Sequence, residues 1–196
     1  PLDIDGLQLW LDAADISTVT ESGGGVSQWN DKSGNGNHVS QATPANQPVT
    51  GVSTQNGLNV LDFASEFLTA ADAATWKFLN DGSEHTIFIV GKAGTTSDPN
   101  ASYGFLGTNA GSTLNNGIFV TYDDRAVTSR NDAISVLVDE TGQSVSNLAN
   151  NVFSANEFHI AAITQDPDNA VAQERSSIRV DAGTETKNNS STTPPT

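Results

Sequence analysis

What most constrains the fold of this chain is the recurrence of short runs in which side chains of one kind fall on every second position. "LQLWL" (7–11) sets Leu7, Leu9 and Leu11 on one side, and "LNVLDF" (58–63) sets Leu58 and Val60 opposite Leu61 and Phe63. "YGFLG" (103–107), "GIFVTY" (117–122), "AISVLVD" (133–139), "FHIAAIT" (158–164) and "SIRVD" (177–181) continue the pattern, with Gly, Asn, Asp, Ser and Thr between them. Successive side chains of a strand point to opposite faces, so such runs bounded by turn formers predict an all-β sandwich or barrel. "HTIFIVGK" (85–92) is apolar on both parities around Ile87 to Val90 and predicts a central strand covered on both sides. "DETGQS" (139–144) predicts a hairpin connection.

One segment competes as a helix. "DAATWKFLNDG" (72–82) opens on the capping residue Asp72 and closes on Asp81-Gly82, enough for about two turns. The tail "TKNNSSTTPPT" (186–196) reads as an exposed loop or linker. No internal repeat is visible, and 196 residues predict one domain, over 1–185.

Charge narrows the partners. Eight Lys and Arg stand against 23 Asp and Glu, a net charge of −15. Binding to phosphates depends on basic residues displacing counterions, so nucleic acid and anionic membrane surfaces are not expected partners. Neutral glycans, cations and proteins remain. The absence of cysteine excludes disulfides, thiol catalysis and Cys-ligated zinc. No run of about 18 apolar residues predicts a membrane span. The start "PLDIDGLQLWLDAAD" lacks the basic and apolar regions of a signal peptide. Either a signal was removed, or the protein is made in the cytoplasm and reaches its place of work another way.

The stretch "QWNDKSGNGNHVSQ" (28–41) has the composition of a phosphate cradle, a calcium loop or a tight turn. A Walker-type loop needs lysine after its second glycine, whereas Lys32 precedes Gly34 and Gly36. An EF-hand needs a bidentate glutamate at its end, and none stands near residue 42. A turn remains as the first reading. Asp31 and Ser33 bond local amides, the glycines supply positive φ, and Trp29 anchors the loop. A cation or sugar site is the alternative.

"LQLWLDAADIS", "VSQWNDKSGNGNHVSQ", "QPVT" and "LNVLDF", followed more loosely by "HTIFIVGKAG" and "FHIAAITQD", resemble the laminin-G-like domains of the concanavalin A-like lectin/glucanase superfamily. The form resembled is that of bacterial and phage surface proteins, over Leu7 to about Asp181. The resemblance implies a jelly-roll β-sandwich of two antiparallel sheets. It leaves function open, since that fold hosts lectins, adhesion domains, hydrolases and virion proteins. Two features depart from the pattern. An acidic, glycine-containing turn usually follows the strand matching "LNVLDF", where this chain has "ASEF" (64–67). Such domains also continue beyond "SIRVD" into strands that flank the first one. "LQLWL" as an open strand would therefore need neighbours from residues not given, from a separate fragment or from another subunit.

Chemistry is sparse. Retaining glycosidases set two carboxyls about 5–5.5 Å apart over one bond. The E-x-D-x-x-E triplet that serves this in the superfamily is missing, and Glu66, Glu84, Glu157, Asp166 and Glu174 are scattered. His38, His85 and His159 have no metal-ligand spacing, and there is no G-x-S-x-G elbow. No catalytic residue is expected. "TYDDRAVTSR" (121–130) offers Tyr122, Asp123, Asp124, Arg125 and Arg130. An aromatic face beside planar polar groups suits a glycan contact, with Tyr122, Asp123, Asp124 and Arg125 as ligand-binding candidates. A hairpin turn with solvated charges is the alternative. Asp12 and Asp15 could donate oxygens to Ca²⁺, and no other cofactor is expected. The sequence reading is a non-catalytic, lectin-like structural or adhesion protein at a virion surface or outside the cell, in first place a phage decoration, fibre or tail protein. Other structural proteins, copies of itself or a glycan would be its partners. The alternative is a secreted carbohydrate-binding module or accessory domain of a polysaccharide-degrading enzyme.

Overall fold

The computed structural model describes residues 3–71, 74–79, 81–94, 102–108, 117–123, 131–140, 143–187 and 190–191. The protein is all-β, and every strand pairing among these residues is antiparallel. Among them, no helix is long and apolar enough to cross a membrane. The chain forms two compact units, 1–73 and 74–196.

The first unit contains β1 (Val19–Ser22), β2 (Gly25–Trp29), β3 (Val39–Ser40), β4 (Val49–Gln55), β5 (Leu58–Asp62) and β6 (Thr69–Ala70). β1, β2, β3 and β6 form one sheet in that order, and β4 and β5 form a hairpin. Both tight turns follow from residues that tolerate positive φ. Gly23 and Gly24 join β1 to β2 at φ 70° and 94°, and Asn56-Gly57 joins β4 to β5 at 52° and 77°. Positive φ at both central positions is the type I′ geometry that matches strand twist. Gly25 is required for a different reason: a Cβ there would stand 2.6 Å from Cβ of Gln47.

Residues 7–11 do not form the expected strand. Their main-chain groups are taken instead by the loop between β2 and β3. The Trp10 amide donates to Asp31 Oδ1 at 2.9 Å, and the Lys32 amide donates to the Trp10 carbonyl at 2.8 Å. Asn35 Nδ2 donates to the Leu7 carbonyl at 2.7 Å and Asn37 Nδ2 to the Gln8 carbonyl at 2.8 Å. Side chains do here what a neighbouring strand would do, so the open strand edge that called for extra strands does not arise.

The second unit contains β7 (His85–Gly91), β8 (Ser102–Gly107), β9 (Gly117–Asp123), β10 (Ala133–Glu140), β11 (Gln143–Ala149), β12 (His159–Gln165), β13 (Ser176–Val180), β14 (Thr186–Lys187) and β15 (Ser190–Ser191). One sheet runs β15-β11-β10-β9-β8 and the other β14-β13-β12-β7. Ile118, Val120 and Tyr122 of β9, Ile134, Val136 and Val138 of β10, Ala161 and Ile163 of β12, and Ile178 and Val180 of β13 share one buried cluster. Two sheets whose inner faces meet in one core make a β-sandwich. Asn147 of β11 ties the layers, donating to the carbonyls of Ser176 and Thr186 at 3.2 and 2.9 Å.

Three expectations change here. The strand covered on both faces is β9, where only Phe119 keeps partial exposure, and not β7, whose residues alternate between inward and exposed. The outward face is open on the internal strand β12 as well, where Ile160 is exposed across from Val90. In place of a two-turn helix over 72–82, the described residues show a 3-10 turn at Lys77–Leu79, with Asp72 outside them. Leu79 is drawn into the core and Trp76 and Phe78 pack on it, so burial rather than helical periodicity sets this segment. Within the expected tail, Thr186–Lys187 and Ser190–Ser191 pair with β13 and β11. The hairpin read at 139–144 is present, with Glu140 opposite Gln143.

Candidate functional site

The outward face of β7 and β12 is the most distinctive surface of the second unit. Strand alternation sends Ile87 and Ile89 inward and Phe88 and Val90 outward, where they are 69% and 68% exposed. On β12 the same alternation puts Ile160 outward at 53% exposure, directly across from Val90, and Ala162 across from Phe88. Thr86 and Thr164 end this face, their hydroxyls 3.4 Å apart. Contiguous apolar side chains in solvent mark interaction surfaces more than isolated ones do. No charge lies on β7 from His85 to Gly91.

The ligand-binding candidates of the sequence lie differently. Tyr122 is on the inward side of β9 with no exposed surface; its ring stacks on Tyr103 at 6.4 Å and its hydroxyl donates to Asp132 Oδ1 at 3.2 Å. Its register partner Ile134 lies in the same core, so the ring fills the sandwich and presents no face on which a sugar could stack. Asp123 is also fully buried. Asp124, Arg125 and Arg130 lie outside the described residues.

Asp12 and Asp15 converge on a cation of the chain's own. Lys32 Nζ lies 2.9 Å from Asp12 and 2.8 Å from Asp15, and 4.4 Å from the centre of the Trp10 ring. The Lys32 ammonium, with Ser17, holds the Asp15 carboxyl below its ordinary value, and Asp15 and Asp12 raise the lysine in return. The oxygens read as calcium donors thus neutralise a lysine. Among the described residues no group of three or more His, Asp or Glu could hold a metal ion.

The glycine-asparagine loop is a structural clamp. Asp31, 8% exposed, accepts from the amides of Trp10, Ser33 and Asn37 and from the Ser33 hydroxyl, at 2.6–3.0 Å. Burial alone would push its carboxyl up, but the Ser33, Trp10 and Asn37 donors outweigh that and lower it. A cleft of about 220 Å³ elsewhere in this unit is lined by Ile16, Val19, Glu21, Thr50, Gly51 and Asn59. That is smaller than pockets that enclose a drug-sized ligand, roughly 300–1,000 Å³.

The fold also brings together a trio that no spacing announces. Ser154 Oγ lies 3.1 Å from His159 Nε2, and His159 Nδ1 lies 2.8 Å from Asp181 Oδ2. The order is that of a nucleophile, a base and an orienting acid, with the Ser154 hydroxyl shared between His159 and a second acceptor. The Ser154 hydroxyl donates to Glu157 Oε2 at 2.8 Å, and Nε2 also meets the Ser154 carbonyl, which can only accept, at 3.2 Å. The trio pins the turn after β11 to the end of β13, and the His159 contact lowers the Asp181 carboxyl.

The fold and these sites define an all-β protein with an antiparallel sandwich in its second unit. No family model, no curated protein and no solved structure matches the chain.

Proposed function

We propose that this protein is a non-catalytic, lectin-like structural and adhesion module displayed on a surface, working by association with copies of itself or with other structural proteins. The supporting observation is the Phe88–Val90–Ile160 face: contiguous, apolar and uncharged, on a chain whose net charge is −15. An acidic protein repels its own kind everywhere except at such a patch, so the patch is where a protein partner gains contact. The acids Asp15, Asp31, Asp81 and Asp181 each bond side chains or amides of the chain itself, which supports a structural role over a catalytic one. The resemblance over Leu7 to about Asp181 points to a phage virion component, such as a decoration, fibre or tail protein, with host glycan as a second contact.

The test is light scattering of the full chain over a range of concentrations, beside a glycan array and a polysaccharide panel assayed for new reducing ends. Concentration-dependent assembly without turnover is expected. A chain that stays monomeric and binds one glycan saturably would replace this reading with the carbohydrate-binding module, and released reducing ends would replace it with an enzyme.

A further inference from the structure

We propose that β7 is a homotypic docking edge: His85–Gly91 pairs antiparallel with the same strand of a second copy, joining two four-stranded sheets into one. The inference rests on the assembly reading above and names its partner. β7 ends the sheet β14-β13-β12-β7, and its seven residues pair with β12 in unbroken register. Its other edge has no strand partner among the described residues. Proteins blunt such edges with lysine, proline, bulges or a covering segment. "HTIFIVG" contains no lysine and no proline, and its pairing has no bulge.

A bare edge calls for a strand, and the residues select which strand. Only one antiparallel register pairs all seven residues of β7 with a second β7. It sets Phe88 against Phe88, Ile87 against Ile89, Thr86 against Val90 and His85 against Gly91. The pair just beyond is Glu84 against Lys92, at both ends of the joint, and both are exposed. Opposite charges directly across an antiparallel pair stabilise it, whereas parallel pairing would place like charges together. On the outer face, both Phe88 rings and both Val90 side chains would merge into one apolar strip flanked by Ile160. Stable complexes bury roughly 800 Å² per partner, more than this strip and edge provide, so the dimer is reversible and concentration-dependent. Repulsion between two acidic chains opposes it, and added salt, which screens that repulsion, strengthens it.

Sedimentation equilibrium of the full chain, from micromolar to millimolar and at low and high salt, reads the association directly. Phe88→Lys and Val90→Lys, both at exposed positions, are each expected to raise the dissociation constant about tenfold or more. Val171→Lys, exposed on a different segment, is expected to leave it unchanged. Glu84→Lys weakens the dimer and Glu84→Lys with Lys92→Glu restores it. Because the chain has no cysteine, Phe88→Cys introduces a single thiol, and an added oxidant is expected to link two copies through it. Directly opposed residues have Cα atoms about 4.5–5.5 Å apart, within disulfide reach. A monomer at every concentration and salt, with no cross-link at residue 88, overturns the proposal. A dimer indifferent to Phe88→Lys and Glu84→Lys overturns this edge while the assembly reading stands. A monomer that binds a glycan saturably removes both.

Discussion

Removing the Asp31 carboxylate tests whether the loop after β2 acts as the clamp on residues 7–10. It accepts four hydrogen bonds, from the Trp10, Ser33 and Asn37 amides and the Ser33 hydroxyl, while only 8% exposed. A hydrogen bond to a charged group contributes about 1.5–3 kcal/mol net. Water can reach some of these donors once the carboxylate is gone, so their sum overstates the loss. Asp31→Ala is expected to destabilise the protein by about 3 kcal/mol, the cost of the Trp10 contact plus part of the rest. Urea unfolding followed by tryptophan fluorescence is the assay, since Trp10 and Trp29 flank the clamp. The effect depends on pH in a defined direction. The folded carboxyl lies below its ordinary value, so between that lowered value and the unfolded one, near 3.9, the unfolded chain binds more protons. The contribution of Asp31 is therefore complete above about pH 4 and is lost as pH falls through the folded value. The gap between wild type and Asp31→Ala should narrow over that acid range. A cost under about 1 kcal/mol at neutral pH, or a gap that widens on acidification, would refute the clamp.

Burial lowers the pKa of His85, only partly opposed by the Ser83 carbonyl, so the unfolded chain takes up a proton first on acidification. Stability is expected to fall as pH drops below about 6.5, and His85→Gln should flatten that slope in urea titrations. Gly25→Ala drives a Cβ against Gln47 and should cost about 1–3 kcal/mol by thermal melting. Gly36→Ala, also strained by its positive φ but with nothing within 4 Å, should cost less. Tyr122→Ala empties a fully buried site and should cost about 3–5 kcal/mol, read by calorimetry. Tyr122→Phe, which keeps the ring and loses the hydroxyl contact to Asp132, should cost about 1 kcal/mol.

Alternation is a local property of the chain, and this is why the strands were legible. β5, β8, β9, β10, β12 and β13 coincide with the apolar runs within a residue or two, because a period of two matches a pleated backbone and not a helix. Asn56-Gly57 and Gly23-Gly24 carried an equally local turn signal. The turn character of residues 31–37 was legible too, from aspartate, serine and glycine that bond or bend their own backbone.

What those groups hold was decided by tertiary structure. Alternation shows that a side chain faces one way or the other, not which side another layer will cover. β7 read as apolar on two faces and β9 as alternating, yet β9 is buried on both faces while Phe88 and Val90 of β7 meet solvent, together with Ile160 of the neighbouring β12. Tyr122 became core because its side of β9 faces the other sheet, and Lys32 reached Asp12 and Asp15 across a spacing no motif encodes. Residues 7–11 alternate like a strand and are not one: pairing belongs to two segments at once, and the donors of Asn35 and Asn37 hold the Leu7 and Gln8 carbonyls. The chain's own pattern specified strands, turns and an acidic surface. Which faces meet solvent, and therefore where a partner docks, depended on contacts between residues far apart in sequence.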